Sequence, residues 1–250
     1  MSDPVLFLAL PARPVATAPG TTIVVPAPTR HPYKARRRPG SLLNLNFNQL
    51  WADALNDRAE VPSLRYFAMC HDDIEPVPGW ADLLVEDLER LPADVVSSVI
   101  PLKDDRGLTS TGVWQRETGG VRRLTMTEVM SLPETFGLVH LIGAGLAEAG
   151  DVLAINTGLW VCRLDAGWAE RFPGFRNGCD AVVRDDTGRY HGVCLSEDWT
   201  FALWCAQVGL AVYATRRASA AHVAADRSYP NDRAWGTWVT DRGDQEEPQS

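Results

Sequence analysis

The chain predicts an α/β fold with a mixed, mostly parallel central sheet flanked by helices. Three observations lead there. Short apolar runs with strand character occur at residues 5–10, 64–70 and 94–100, and amphipathic helical spacing separates them. The second half is less regular, which fits a mixed sheet.

Taken in order, residues 5–10 form a first buried strand, stopped by Pro11. Residues 11–40 are rich in proline and read as a loop holding one short strand at 21–25. The end of that loop carries Arg30, Lys34, Arg36, Arg37 and Arg38. Between 42 and 55, Leu43, Phe47, Leu50, Trp51 and Ala54 recur at three- and four-residue spacing, the stripe of an amphipathic helix, with Ser41 as its N-cap. Residues 64–70 are apolar and aromatic throughout most of their length, as in a strand buried on both faces. Pro78-Gly79-Trp80 opens a helix to Arg90, and 94–100 is the next strand. Residues 103–150 show no clear period beyond a helix near 126–131. Residues 153–164 form a strand interrupted at Asn156-Thr157-Gly158. Ser196 starts a helix that Gly209 closes, 210–215 is a last strand, and a small-residue loop holding His222 follows.

Length and composition suit one domain over residues 1–232 with a polar tail at 233–250. The 45% apolar and 22% charged fractions are those of ordinary globular proteins. A formal charge of −8 argues against a surface that is basic overall, and so against general adhesion to nucleic acid or anionic membranes. Five scattered cysteines without a CxxC spacing suggest reduced thiols rather than a zinc site. Residues 5–10 are too few for a signal-peptide core, and no apolar run is long enough to span a bilayer. A cytoplasmic protein with no membrane partner is the expectation; its oligomeric state is left open.

Chemistry concentrates at His71-Asp72-Asp73. These residues end a buried strand, and open α/β sheets place ligands at the carboxyl ends of their strands. Two carboxylates and an imidazole there suit Mg²⁺ or Mn²⁺ holding a diphosphate; turn and helix-cap duty is the plainer alternative. Glu197 and Asp198 open a helix, where the dipole favours acids and where one carboxylate is placed to take a proton from a hydroxyl. His222, beyond the last strand, is a candidate third ligand. Arginine forks at Arg30, Arg36, Arg37 and Arg38 suit phosphate oxygens.

This ordered set resembles the GT-A class of nucleotide-sugar glycosyltransferases, in its family-2-like form. The resemblance covers residues 5–225. It implies a Rossmann-like first half, with His71-Asp72-Asp73 standing where the class has its Asp-x-Asp motif. Asp73 would then be the main ligand of Mn²⁺ or Mg²⁺, joined by Asp72, His71 and His222. Glu197-Asp198 resembles the acidic pair of inverting members, with Asp198 as base. Pro11, Arg30, Arg36, Arg37 and Arg38 are assigned to the donor phosphates, and Asn156, Thr157, Gly158, Trp160 and Trp199 to the acceptor. Two departures stand out: a histidine replaces the first aspartate, and a proline-rich segment replaces the first helix.

The implied donor is a nucleotide-diphosphate sugar, a UDP-sugar first. The acceptor stays open among saccharide, lipid-linked and protein hydroxyls and a hydroxymethylated base in DNA. The last follows from the basic run and a compact, phage-type layout, which would place the protein in a host cytoplasm. Nucleotidyl transfer, metal-dependent phosphohydrolysis and a non-catalytic binding module are the competing functions.

Overall fold

The computed structural model describes residues 3–12, 27–184, 187–224 and 227–236. The first half holds β1 (Leu6–Ala12), β2 (Tyr33–Pro39), α1 (Leu43–Glu60), β3 (Tyr66–Cys70), β4 (Ile74–Pro76), α2 (Trp80–Arg90) and β5 (Val95–Ser98). Then come β6 (Leu108–Gln115), β7 (Gly120–Thr125), α3 (Met126–Ser131), β8 (Thr135–Phe136), α4 (Leu138–Gly143), β9 (Val152–Ala154) and β10 (Leu159–Arg163). The last are β11 (Gly178–Arg184), β12 (Tyr190–Leu195), α5 (Glu197–Gln207), β13 (Val212–Thr215), β14 (Ala220–Val223) and β15 (Ser228–Pro230).

A 7-stranded sheet runs in the order β2-β1-β3-β10-β5-β13-β8. Strands β2, β1 and β3 are parallel, as are β5 and β13, while β10 and β8 run against their neighbours. The result is a mixed, mostly parallel sheet, compatible with a Rossmann-like arrangement. Side chains alternate across it. Phe7, Phe67, Met69 and Trp160 face one core with Phe47, Leu50 and Trp51 of α1. Leu6, Leu8, Ala68 and Val161 face the other with Trp80, Leu84 and Leu88 of α2. Period-2 alternation explains why β3 is apolar on both sides. No described helix is long and apolar enough to cross a membrane.

Five expectations need correction. Pro11 does not stop the first strand: β1 runs through it to Ala12, paired with β2. The basic run is not a loop: residues 33–39 form strand β2, which satisfies the outer backbone edge of β1. The N-cap of α1 is Leu42 rather than Ser41, and no side chain caps it. Residues 153–164 are two strands in two sheets, β9 against β6 and β10 within the main sheet, split at Asn156-Thr157-Gly158. His222 lies on strand β14, not in a loop. The unreadable stretch 103–150 contains the β6–β7 ribbon and α3, the latter started by a capping box between Thr125 and Glu128. The expected strand at 21–25 and most of the polar tail lie outside the described residues.

Candidate functional site

Parallel β3, β5 and β13 all end on one side of the sheet. Antiparallel β10 begins there, so the segments around residues 71–73, 99–103, 156–158 and 216–222 share one edge. Sheet direction alone produces this convergence of residues far apart in sequence.

A short strand pairing then fixes Asp73. His222 lies opposite Ile74 in the β14–β4 ladder, and the Val223 amide donates to the Asp73 carbonyl at 2.8 Å. The His222 ring stands with Nε2 3.4 Å from Asp73 Oδ2, while Nδ1 donates to the Pro101 carbonyl at 2.8 Å. Lys103 donates from Nζ to the same Asp73 oxygen at 2.6 Å. Burial by itself would raise the Asp73 pKa. Hydrogen bonds from His222 and Lys103, with the nearby charge of His222 and His71, more than reverse that and hold the carboxyl well below the usual range.

Behind this corner sits a buried clamp that sequence reading missed. Asn231 accepts from the Ala220 amide (2.8 Å) and donates to Ser98 Oγ (3.2 Å) and the Val99 carbonyl (2.9 Å). It ties the β14–β15 hairpin, and so His222, to the end of β5.

The second corner is built on the 156–158 turn. Asn156 Oδ1 accepts from the Gly158 amide, and the Gly158 carbonyl accepts from the His71 amide at 2.8 Å. A Cβ at Gly158 would lie 2.6 Å from Ile74 Cδ1 and 2.7 Å from Asn156 Oδ1, so the close packing of this turn against β4 requires glycine. Thr157 donates to Asp198 Oδ1 through both its backbone N–H (3.2 Å) and its hydroxyl. Asp198 sits in the first turn of α5. Its pKa is pushed up to about 7 by burial first and by the Glu197 carboxylate second, against the opposing pull of Thr157 and Arg123. Burial likewise raises Glu197. Arg123, also missed from sequence, lays its guanidinium over the Trp199 ring at 4.7 Å and donates to the Thr109 carbonyl at 3.3 Å.

Other assigned residues are placed differently. His71 packs its ring against Phe47, with centroids 4.9 Å apart, and Asp72 lies in the turn between β3 and β4. Trp160 is fully buried among Trp51, Phe67, Phe175 and Phe201, so it is a core residue with no face for an acceptor. Trp199 is nearly buried beneath Arg123. Pro11 lies buried in β1, opposite Arg38. The basic strand is largely matched by acids: Arg38 forks onto Asp53 (2.7–3.1 Å), and Lys34 and Arg36 reach Asp57 at 2.5 and 3.7 Å. Arg30 meets Asp82 through its amide at 2.9 Å and its guanidinium at 3.5 Å. Arg37 is exposed. Cavities of about 650 and 400 Å³ occur elsewhere, and neither is lined by Asp73, Lys103, His222 or Asp198.

The implied divalent ion can be tested against these contacts. His222 has a ligand's orientation, its far nitrogen tied to a carbonyl. One of the two Asp73 oxygens, Oδ2, already accepts from the Lys103 ammonium. An ion bound to that oxygen at the usual ~2.1 Å would lie within about 4.7 Å of Nζ. Repulsion between them would be on the order of several kcal/mol at an effective dielectric near 20. Among the described residues no three His, Cys, Asp or Glu side chains group as ligands. The Lys103 ammonium therefore competes with the expected metal at Asp73 Oδ2.

No protein-family model matches the chain, and no curated protein matches it. Nine chains of solved structures do. One is the crystal structure of A197 from STIV, 14% identical, with a TM-score of 0.47, covering 98% of this chain and 100% of that one. A likeness of that size carries no argument about function.

Proposed function

We propose that this chain is a glycosyltransferase of the GT-A type, moving a sugar from a nucleotide-diphosphate donor to a hydroxyl acceptor. One observation carries the reading: the 156–158 turn joins the Lys103–Asp73 ion pair to a carboxyl group whose pKa is pushed up to about 7, on the strand edge where such folds bind nucleotides.

The chemistry asks for those two corners. As the acceptor oxygen attacks the anomeric carbon, the bond from that carbon to the diphosphate oxygen breaks. The departing phosphate gains negative charge, which a fixed positive group opposite it stabilises. The hydroxyl proton passes to Asp198, whose pKa is close to neutral, where a general base is most effective. Thr157 holds the accepting carboxylate in place. This division of labour describes an inverting transfer.

Incubating the protein with UDP- and GDP-sugars, in EDTA and in Mn²⁺, tests the reading. Release of nucleoside diphosphate is expected. Release of monophosphate or pyrophosphate would instead favour nucleotidyl transfer or phosphohydrolysis, and no binding of any such nucleotide would favour a module without this activity.

A further inference from the structure

We infer that Lys103 is the phosphate-binding cation of this edge, a built-in ammonium standing where the resemblance implies a divalent ion, and that its ligand is the diphosphate of a nucleotide. The inference rests on the glycosyltransferase reading and deepens it.

Lys103 is held for such a role. It follows β5 on a turn closed at both sides: the Leu102 amide donates to the Leu108 carbonyl and the Ser110 amide to the Ile100 carbonyl, each at 2.8 Å. Asp104 braces the turn by accepting from the Arg106 amide (2.9 Å) and guanidinium (2.8 Å). A lysine on such a base loses less freedom on binding than one on an open loop. Its ammonium has three N–H donors, and one of these is directed to Asp73 Oδ2. The side chain is about one-quarter exposed, so the group is accessible from solvent. Asp73 then acts as the positioning residue, and His222, fixed by Pro101 and the β14–β4 ladder, lines the same corner. An ammonium binds phosphate as a point charge without the geometry demanded by coordination, which suits a corner with one carboxylate and one imidazole at contact distance.

The test measures binding of UDP and GDP to the full chain by calorimetry, in EDTA and again in Mn²⁺. The variants are Lys103→Ala, Lys103→Gln and Lys103→Arg, with folding checked by circular dichroism. Equal affinity of the wild-type protein in EDTA and Mn²⁺ is expected. Loss of ~10- to 100-fold in Lys103→Ala and Lys103→Gln, with most of the affinity kept in Lys103→Arg, completes the expected result. Binding by the wild type only in Mn²⁺ would overturn the role of Lys103 while leaving the glycosyltransferase reading intact, and needs no variant to be observed. Unchanged affinity in folded Lys103→Ala or Lys103→Gln would do the same. Absence of binding in both buffers would remove the glycosyltransferase reading, and this inference with it.

Discussion

Asp73 and Asp198 stand on one edge of one sheet and are treated in opposite ways. Both are partly buried. Asp73 is surrounded by donors from Lys103 and His222 and is kept ionised far below the ordinary carboxylate range. Asp198 has Glu197 beside it and only Thr157 and the charge of Arg123 in compensation, so its pKa rises to about 7. Two groups with identical chemistry are thereby given opposite pKa shifts, which the proposed function reads as an anchor and a proton acceptor. Neighbours, not the side chain, set which is which.

The contrast breaks most directly at Asp198. Asp198→Asn keeps an acceptor oxygen for Thr157 but removes the basic group, so turnover with acceptor should fall by ~10²–10⁴-fold while nucleoside diphosphate affinity holds. Steady-state kinetics beside calorimetry would separate the two.

Next are the two clamps that hold the corners. Gly158→Ala forces a methyl between Ile74 and Asn156 and should cost about 1–3 kcal/mol in urea unfolding, with a loss of activity beyond that of the stability change. Asn231→Ala leaves the buried Ala220 amide and Val99 carbonyl without that partner, again at about 1–3 kcal/mol. Because Asn231 anchors the hairpin that carries His222, this variant should weaken nucleotide binding without altering the pH dependence of turnover.

Opposite pH slopes sharpen the comparison further. Turnover should rise with pH through about 7 as Asp198 ionises, and the rise should vanish in Asp198→Asn. Stability runs the other way at that residue. Its folded pKa lies above the unfolded ~3.9, so its contribution is full below that value and is lost as pH climbs through about 7. Asp73 has a depressed folded pKa, so its contribution is present above ~3.9 and declines as pH falls below it. Thermal unfolding of Asp198→Asn should therefore improve relative to wild type between pH 5 and 8. Asp73→Asn should lose ground relative to wild type as pH rises from acid to neutral.

The smallest effects belong to the basic strand. Arg38→Ala should cost no more than ~1 kcal/mol, since its Asp53 pair is partly exposed, and Arg37→Glu should change stability by less than about 0.5 kcal/mol.

Much of the framework was legible from local pattern. The stripe of Leu43, Phe47, Leu50, Trp51 and Ala54 became α1, and the apolar run before His71 became β3, because each pattern matches the period of its backbone. Glu197 and Asp198 were legible at a helix start for the same reason. The basic run was misread because charge and proline hide a strand whose partner is a distant backbone edge. Lys103 lay in the stretch that showed no period. Its one available signal was its place just beyond a strand's carboxyl end.

Local pattern was therefore enough for β1, α1, β3, α2, β5, α3, α5 and β13, since helix and strand periods are short-range properties. Only the tertiary structure decided that Lys103 and His222 share an oxygen of Asp73 and that Asp198 faces Thr157. Those meetings depend on strand order and on an antiparallel ladder between residues nearly 150 positions apart. The environment they create sets each carboxyl's charge, and no local pattern encodes it.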